Sequence, residues 1–141
     1  MKRAILIIML LLPLYSIAQD RNLQILQMAI NGRDPASITK LDLSRNNLTS
    51  LPPEIGQLQN LTELNLGGNN LTSLPPEIVQ LQNLTVLNLT WNNLTSLPSE
   101  IVQLQNLTML WLFDNDIPEA ERQKIESWLP NCEIIWEEPE D

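Results

Sequence analysis

The 141-residue chain has no histidine, one cysteine, one phenylalanine, one tyrosine and four glycines. Without imidazole, neither a Ser-His-Asp nor a Cys-His arrangement can be assembled. One thiol and no imidazole leave no zinc constellation either. Cys132 has no partner for an intramolecular disulfide and reads as a small buried hydrophobe. Basic residues are scarce, with 8 Lys and Arg against 17 Asp and Glu, a formal charge of −9. Such a surface repels nucleic-acid phosphates and anionic lipid headgroups. Nucleic acid is therefore not an expected partner.

What the chain has in abundance is leucine and asparagine at a fixed interval. Ile38-Thr-Lys-Leu41-Asp-Leu43-Ser-Arg-Asn46-Asn-Leu48 returns with Leu64, Leu66, Asn69 and Leu71. It returns again with Leu87, Leu89, Asn92 and Leu94, and a last time with Leu110, Leu112, Asn115 and Ile117. Equivalent positions are 23 residues apart throughout. Around Leu41-Asp-Leu43 apolar and polar residues alternate, so the leucines of each copy face inward along a strand. The second halves, Leu51-Pro-Pro-Glu-Ile55, Leu74-Pro-Pro-Glu-Ile78 and Leu97-Pro-Ser-Glu-Ile101, suit an extended entry and a short helical turn. Asn46, Asn69, Asn92 and Asn115 fall where the chain leaves each strand. An amide with two donors and an acceptor can satisfy backbone groups of the turn and of the neighbouring repeat, a structural and not a catalytic role.

The phrase L-x-x-L-x-L-x-x-N-x-L at this period resembles the leucine-rich repeat family, in its short class with Leu-Pro second halves. The resemblance covers four repeats over residues 38–117. It implies an α/β solenoid, with a curved parallel sheet on the concave face and short helical or 3-10 turns on the convex face, used for binding. Eukaryotic extracellular members generally carry cysteine-bearing caps, so the lack of them here favours a bacterial origin. A solenoid's bare ends need covers. Asp20 to Arg33 reads as a helical N-terminal cap, with Leu23, Leu26, Ala29 and Ile30 on one face and Gly32 as its stop; the cap region spans 19–37. At the other end, 118–136 is expected to form a cap. Its helix opens at Pro118 and carries Ile125, Trp128 and Leu129 inward, and a closing strand follows over Cys132 to Trp136. Trp128 and Trp136 are cap core in this reading, and residues 137–141 form an acidic tail expected to stay disordered.

Residues 1–18 read as an export signal: Lys2 and Arg3, an apolar run from Ala4 to Tyr15, then Ser16-Ile-Ala18 as a cleavage site. The run is too short for a spanning helix of about 20 residues. Cleavage near Ala18 leaves 6 basic against 17 acidic residues, a formal −11, on a secreted, periplasmic or cell-envelope protein without a membrane span. Seven Asn-Leu-Thr triplets match the glycan-acceptor pattern, at Asn47, Asn60, Asn70, Asn83, Asn88, Asn93 and Asn106. Each sits where the repeat places it, and they are read as unmodified.

Two carboxylates alone can hydrolyse glycosides, but Glu54, Glu77 and Glu100 recur on the outer turns, and the chain offers no cleft to shift their pKa values. Asp114, Asp116 and Glu119 match no calcium-loop spacing. The chain reads as a non-enzyme needing no cofactor and no metal. The outward strand positions vary from copy to copy. They run Lys40, Asp42, Ser44, Arg45; then Glu63, Asn65, Gly67, Gly68; then Val86, Asn88, Thr90, Trp91; then Met109, Trp111, Phe113, Asp114. Trp91, Trp111 and Phe113, with Met109 beside them, are expected to anchor one protein partner on the concave face of a monomer. Lys40, Asp42, Arg45, Glu63 and Asn88 are expected to set selectivity. Three other readings use the same residues: stacking of the aromatics on sugar rings of an envelope glycan, self-association, or packing of the aromatics against the C-terminal cap and Ile135.

Overall fold

The computed structural model describes residues 17–140. The expected export signal therefore lies, apart from Ile17 and Ala18, outside the described residues. The first element, α1, runs Ile17–Ile30. Asp20, where the sequence suggests that the helix opens, lies within it. The helix ends three residues before Arg33. Asn31 and Gly32 turn into the left-handed region at φ 50° and 68°. Arg33 then folds back, its Nε and Nη2 donating to the carbonyls of Ile30 and Ala29, each at 3.1 Å. Those carbonyls have no partner inside the helix, and a cation at a helix C-terminus also suits the dipole.

Leu26 of α1 joins the main core, and the buried Asn22 donates to the Ser50 hydroxyl at 2.8 Å. The helix is thereby tied to the stack by apolar packing, in which Ile25, Ala29 and Ile30 also share, and by Asn22 at the first repeat. A short 3-10 turn, Pro35–Ser37, follows; the Asp34 carboxylate accepts from the Ala36 N–H at 3.0 Å.

Four three-residue strands then recur: β1 (Lys40–Asp42), β2 (Glu63–Asn65), β3 (Val86–Asn88) and β4 (Met109–Trp111). They pair in parallel and in order, Leu41 against Leu64, Leu87 and Leu110. The convex returns are 3-10 turns at Pro53–Gln57, Pro76–Gln80 and Ser99–Gln103, where proline holds the entry and supplies no donor. After β4 comes α2 (Glu119–Trp128), then β5 (Glu133–Ile135), which adds a fifth parallel strand with Ile134 opposite Leu110. The closing strand is shorter than the Cys132–Trp136 alternation suggests. Trp136 instead turns toward α2, lying 5.1 Å beneath the Arg122 guanidinium and donating its indole N–H to Glu126 at 2.8 Å. Cys132 is half-buried against the core, and desolvation, helped by nearby Glu133, pushes its thiol up to about 11. Glu137 to Glu140 are exposed and carry neither helix nor strand.

One aliphatic core of Leu and Ile runs from Leu26 to Leu129. The polar backbone of each strand exit reaches into it, and the repeat asparagines satisfy that backbone. Asn69 Oδ1 accepts from the N–H groups of Asn46 (3.1 Å) and Leu48 (3.0 Å), while its Nδ2 donates to the carbonyls of Leu43 (3.0 Å) and Leu66 (2.8 Å). Asn92 and Asn115 repeat the pattern through Leu71 and Leu94, each bonding back into the preceding copy. Asn46 has no preceding copy, and its amide donates to the Ser44 carbonyl.

A second ladder runs along the other rim. Asn60, Asn83 and Asn106 donate to the carbonyls of Ala36, Gln59 and Gln82 at 2.8–2.9 Å. Thr62, Thr85 and Thr108 donate to the backbone oxygens of Thr39, Thr62 and Thr85. Three of the seven Asn-Leu-Thr triplets are thus accounted for as inter-repeat hydrogen bonding. Among the described residues no buried side-chain nitrogen or oxygen lacks a partner.

Replacing Asn69 by Leu removes four bonds from buried backbone groups, each worth about 1–3 kcal/mol when left unmet. Urea unfolding should show a loss of at least about 3 kcal/mol for Asn69→Leu and under about 1 kcal/mol for Asn46→Leu. Equal losses at the two sites would mean that the bonds between repeats do not hold the stack.

Candidate interaction surface on the sheet

The sheet register fixes which outward side chains are neighbours, about 4.8 Å apart from strand to strand. One row runs Lys40, Glu63, Val86, Met109, Glu133; the next runs Asp42, Asn65, Asn88, Trp111, Ile135. Between them lies an open groove of about 440 Å³ lined by Lys40, Asp42, Glu63, Asn65, Val86, Asn88 and Trp111. The groove gathers five of the nine residues expected to touch a partner. Met109 stands in the first row, while Arg45, Trp91 and Phe113 belong to rows further along the strand exits.

At the β1 end the charged residues are engaged with one another. Lys40 Nζ meets Glu63 Oε1 at 2.7 Å, both side chains being well exposed, so the pair contributes at most about 1 kcal/mol. The Asp42 carboxylate accepts from the Ser44 N–H at 2.8 Å. Asn65 accepts likewise from Gly67 at 3.1 Å, and Asn88 accepts from both the N–H and the hydroxyl of Thr90, at 3.0 and 2.8 Å. These are Asx turns, which bend the chain out of each strand. They occupy the side-chain oxygens of Asp42, Asn65 and Asn88, so the asparagines face the groove with their amide donors. Sequence reasoning missed this, although an Asp or Asn two residues before Ser44, Gly67 and Thr90 in three copies was the available signal.

The Asp42 carboxyl is held below its ordinary value of 3.8 by the Ser44 hydroxyl first, then by the Ser44 N–H, with a smaller contribution from Asn65; slight burial opposes them.

The fourth residue after each strand's buried leucine takes a left-handed backbone: Arg45 at φ 55°, Gly68 at 68°, Trp91 at 57° and Asp114 at 54°. Glycine adopts that region without strain and aspartate tolerates it, whereas a bulky side chain there is an outlier. Arg45 lies across Gly68, its Cγ 3.1 Å from where a Cβ would stand. Trp91 donates its N–H to the Phe113 carbonyl at 3.1 Å, yet its side chain is 57% exposed. Trp111 and Phe113 are half-buried and meet edge to face, ring centres 6.2 Å apart at 69°. That is the one ring pair among the described residues, so Trp91 adjoins the pair through backbone and not by ring stacking. Ile135 stands beside Trp111 on β5 and shields part of it. Among the described residues no cluster of His, Cys, Asp or Glu could hold a metal ion, and no helix is long and apolar enough to cross a membrane.

A carboxyl held low in the folded state adds stability above its unfolded value and loses it as pH falls through the folded value. Unfolding followed below about pH 4 should therefore weaken the wild type more steeply than Asp42→Asn, which keeps an acceptor for Ser44 but does not titrate. Parallel acid limbs would show that Asp42 titrates alike in both states.

The family described as a leucine-rich repeat region matches residues 37–127. No curated protein sequence matches the chain. A leucine-rich repeat protein of Leptospira interrogans aligns with 70% of this chain and 25% of its own, at 49% identity and a TM-score of 0.68. An internalin of Listeria monocytogenes aligns with 86% of this chain and 37% of its own, at 26% identity and a TM-score of 0.62. The chain thus spans a quarter of the first protein and little more than a third of the second. The family match runs through all four 23-residue units, and those units stack into one parallel sheet, so the chain belongs to the leucine-rich repeat family.

Proposed function

We propose that the chain is an exported, non-catalytic module that binds one protein partner on its concave sheet, with Trp91, Trp111 and Phe113 as anchors. The observation that carries this reading is Trp91. It holds a left-handed backbone, where a bulky residue costs about 1 kcal/mol or more that the equivalent Gly68 avoids. More than half of it is in solvent, and it fills no core. A large aromatic kept at such a position is accounted for by what it meets outside the chain. Leucine-rich repeat domains are typically interaction modules without catalysis, and the open sheet agrees with that use.

Lys40, Asp42, Arg45, Glu63 and Asn88 then read the rest of the partner. Four strands and their exits offer about 800 Å² to it, one standard interface. Export rests on the pattern of residues 1–18. Glycan binding is the second reading, favoured by the groove in which Asn65, Asn88 and Trp111 follow one another across three strands.

The purified chain, immobilised and exposed to envelope and medium fractions, should retain a protein that the Trp91→Ala, Trp111→Ala, Phe113→Ala variant does not. Capture that survives the triple change would remove the concave face from the account. Retention of a purified glycan, competed by free sugar, would favour the second reading. Trp91→Gly is the companion test: its thermal midpoint should equal or exceed the wild type, while capture weakens by about tenfold, the loss of a modest aromatic hot spot.

A further inference from the structure

The two ends of the concave face differ in charge. At the β1 end the charges are of both signs, Lys40 paired with Glu63 and Arg45 exposed beside Gly68 on the same face as Asp42. At the β4–β5 end the charged residues in the same rows are Asp114 and Glu133. Asp114 occupies the repeat position of Trp91, Glu133 stands in register with Met109, and both are exposed. The aromatic patch is therefore bordered by two carboxylates with no cation among them.

We propose that this end receives an arginine or lysine side chain of the bound protein, laid against the Trp91, Trp111 and Phe113 rings and flanked by Asp114 and Glu133. The inference rests on the concave-face reading and adds the partner's chemistry to it. Three observations converge. Trp111 and Phe113 meet edge to face, which leaves the faces of the ring presenting its edge uncovered by the other, and a ring face attracts a cation through its quadrupole. An apolar side chain seated there gains nothing from the carboxylates on either side, whereas a cation is attracted by both. The chain also contains the same grouping within itself: the Arg122 guanidinium lies over Trp136, whose indole is bonded to the Glu126 carboxylate. The formal charge of −9 adds long-range attraction for a basic surface.

The probe is N-acetyl-arginine amide, titrated into a nitrogen-labelled chain while the indole N–H resonances of its four tryptophans are followed. Trp91 and Trp111 should shift and saturate in the millimolar range, with Trp128 and Trp136 still, the latter pair also reporting an intact fold. The double variant Asp114→Asn, Glu133→Gln should bind the probe about threefold more weakly, in keeping with exposed charge contacts. N-acetyl-leucine amide should move neither resonance. Equal shifts from the leucine compound, or an unchanged titration in the double variant, would overturn the proposal. The two readings fail separately. Arginine amide that leaves Trp91 and Trp111 unmoved removes the cationic partner even where the triple aromatic change abolishes capture. Capture that survives the triple change removes the concave face itself, and this inference with it.

Discussion

The structure depends on one requirement: every strand exit drives backbone N–H and C=O groups into an aliphatic interior, and those groups need partners there. A strand of three residues makes too few ladder bonds to hold a repeat alone. The core side chains are leucine and isoleucine, which offer no polar atom. Asn69, Asn92 and Asn115 meet the need from inside the core, each spending its amide on two copies at once. A solenoid is stabilised by such nearest-neighbour terms. Here they are polar as well as apolar, and the rim ladder of Asn60, Asn83, Asn106 and the threonines adds to them.

That requirement divides the residues of each copy into bound and free. The inward leucines, the ladder asparagines and the rim Asn-Leu-Thr groups are committed to neighbours and repeat with little change. Asp42, Asn65 and Asn88 are half committed, since each closes a strand-exit turn through an oxygen, while the Asn65 amide also reaches the Asp42 carboxyl. The first outward row and the left-handed position bear no such duty. Variation is greatest there, from Lys40 to Met109 and from Gly68 to Trp91.

The period, the parallel strands, the inward leucines and the convex 3-10 turns were legible in the sequence because each follows from spacing within one copy. A side chain's choice between partners was not. The Lys40–Glu63 pair requires knowing that both long side chains lie side by side across β1 and β2. Whether Asn88 offers its oxygen or its nitrogen turns on the Thr90 hydroxyl two residues on. Ile135 was recognised as a neighbour of the aromatics, but its shielding of Trp111 and not of Trp91 follows from the β4–β5 register.

The same ladder that holds the stack also makes the exposed aromatic tenable. Trp91 stands directly before Asn92, whose amide is bonded to the carbonyls of Leu66, Leu89 and Thr90, and its own N–H is held by Phe113. A backbone fixed on both sides of the residue can sustain a left-handed φ that a free loop would relax. The buried asparagine beside it helps to hold the strained position. In the proposed interface Trp91 would therefore meet a partner with its backbone already fixed, the entropy of that segment being lost in folding and not in association. On this argument the ladder belongs to the binding surface as much as to the core: loosening Asn92 would release Trp91 without touching any atom a partner meets.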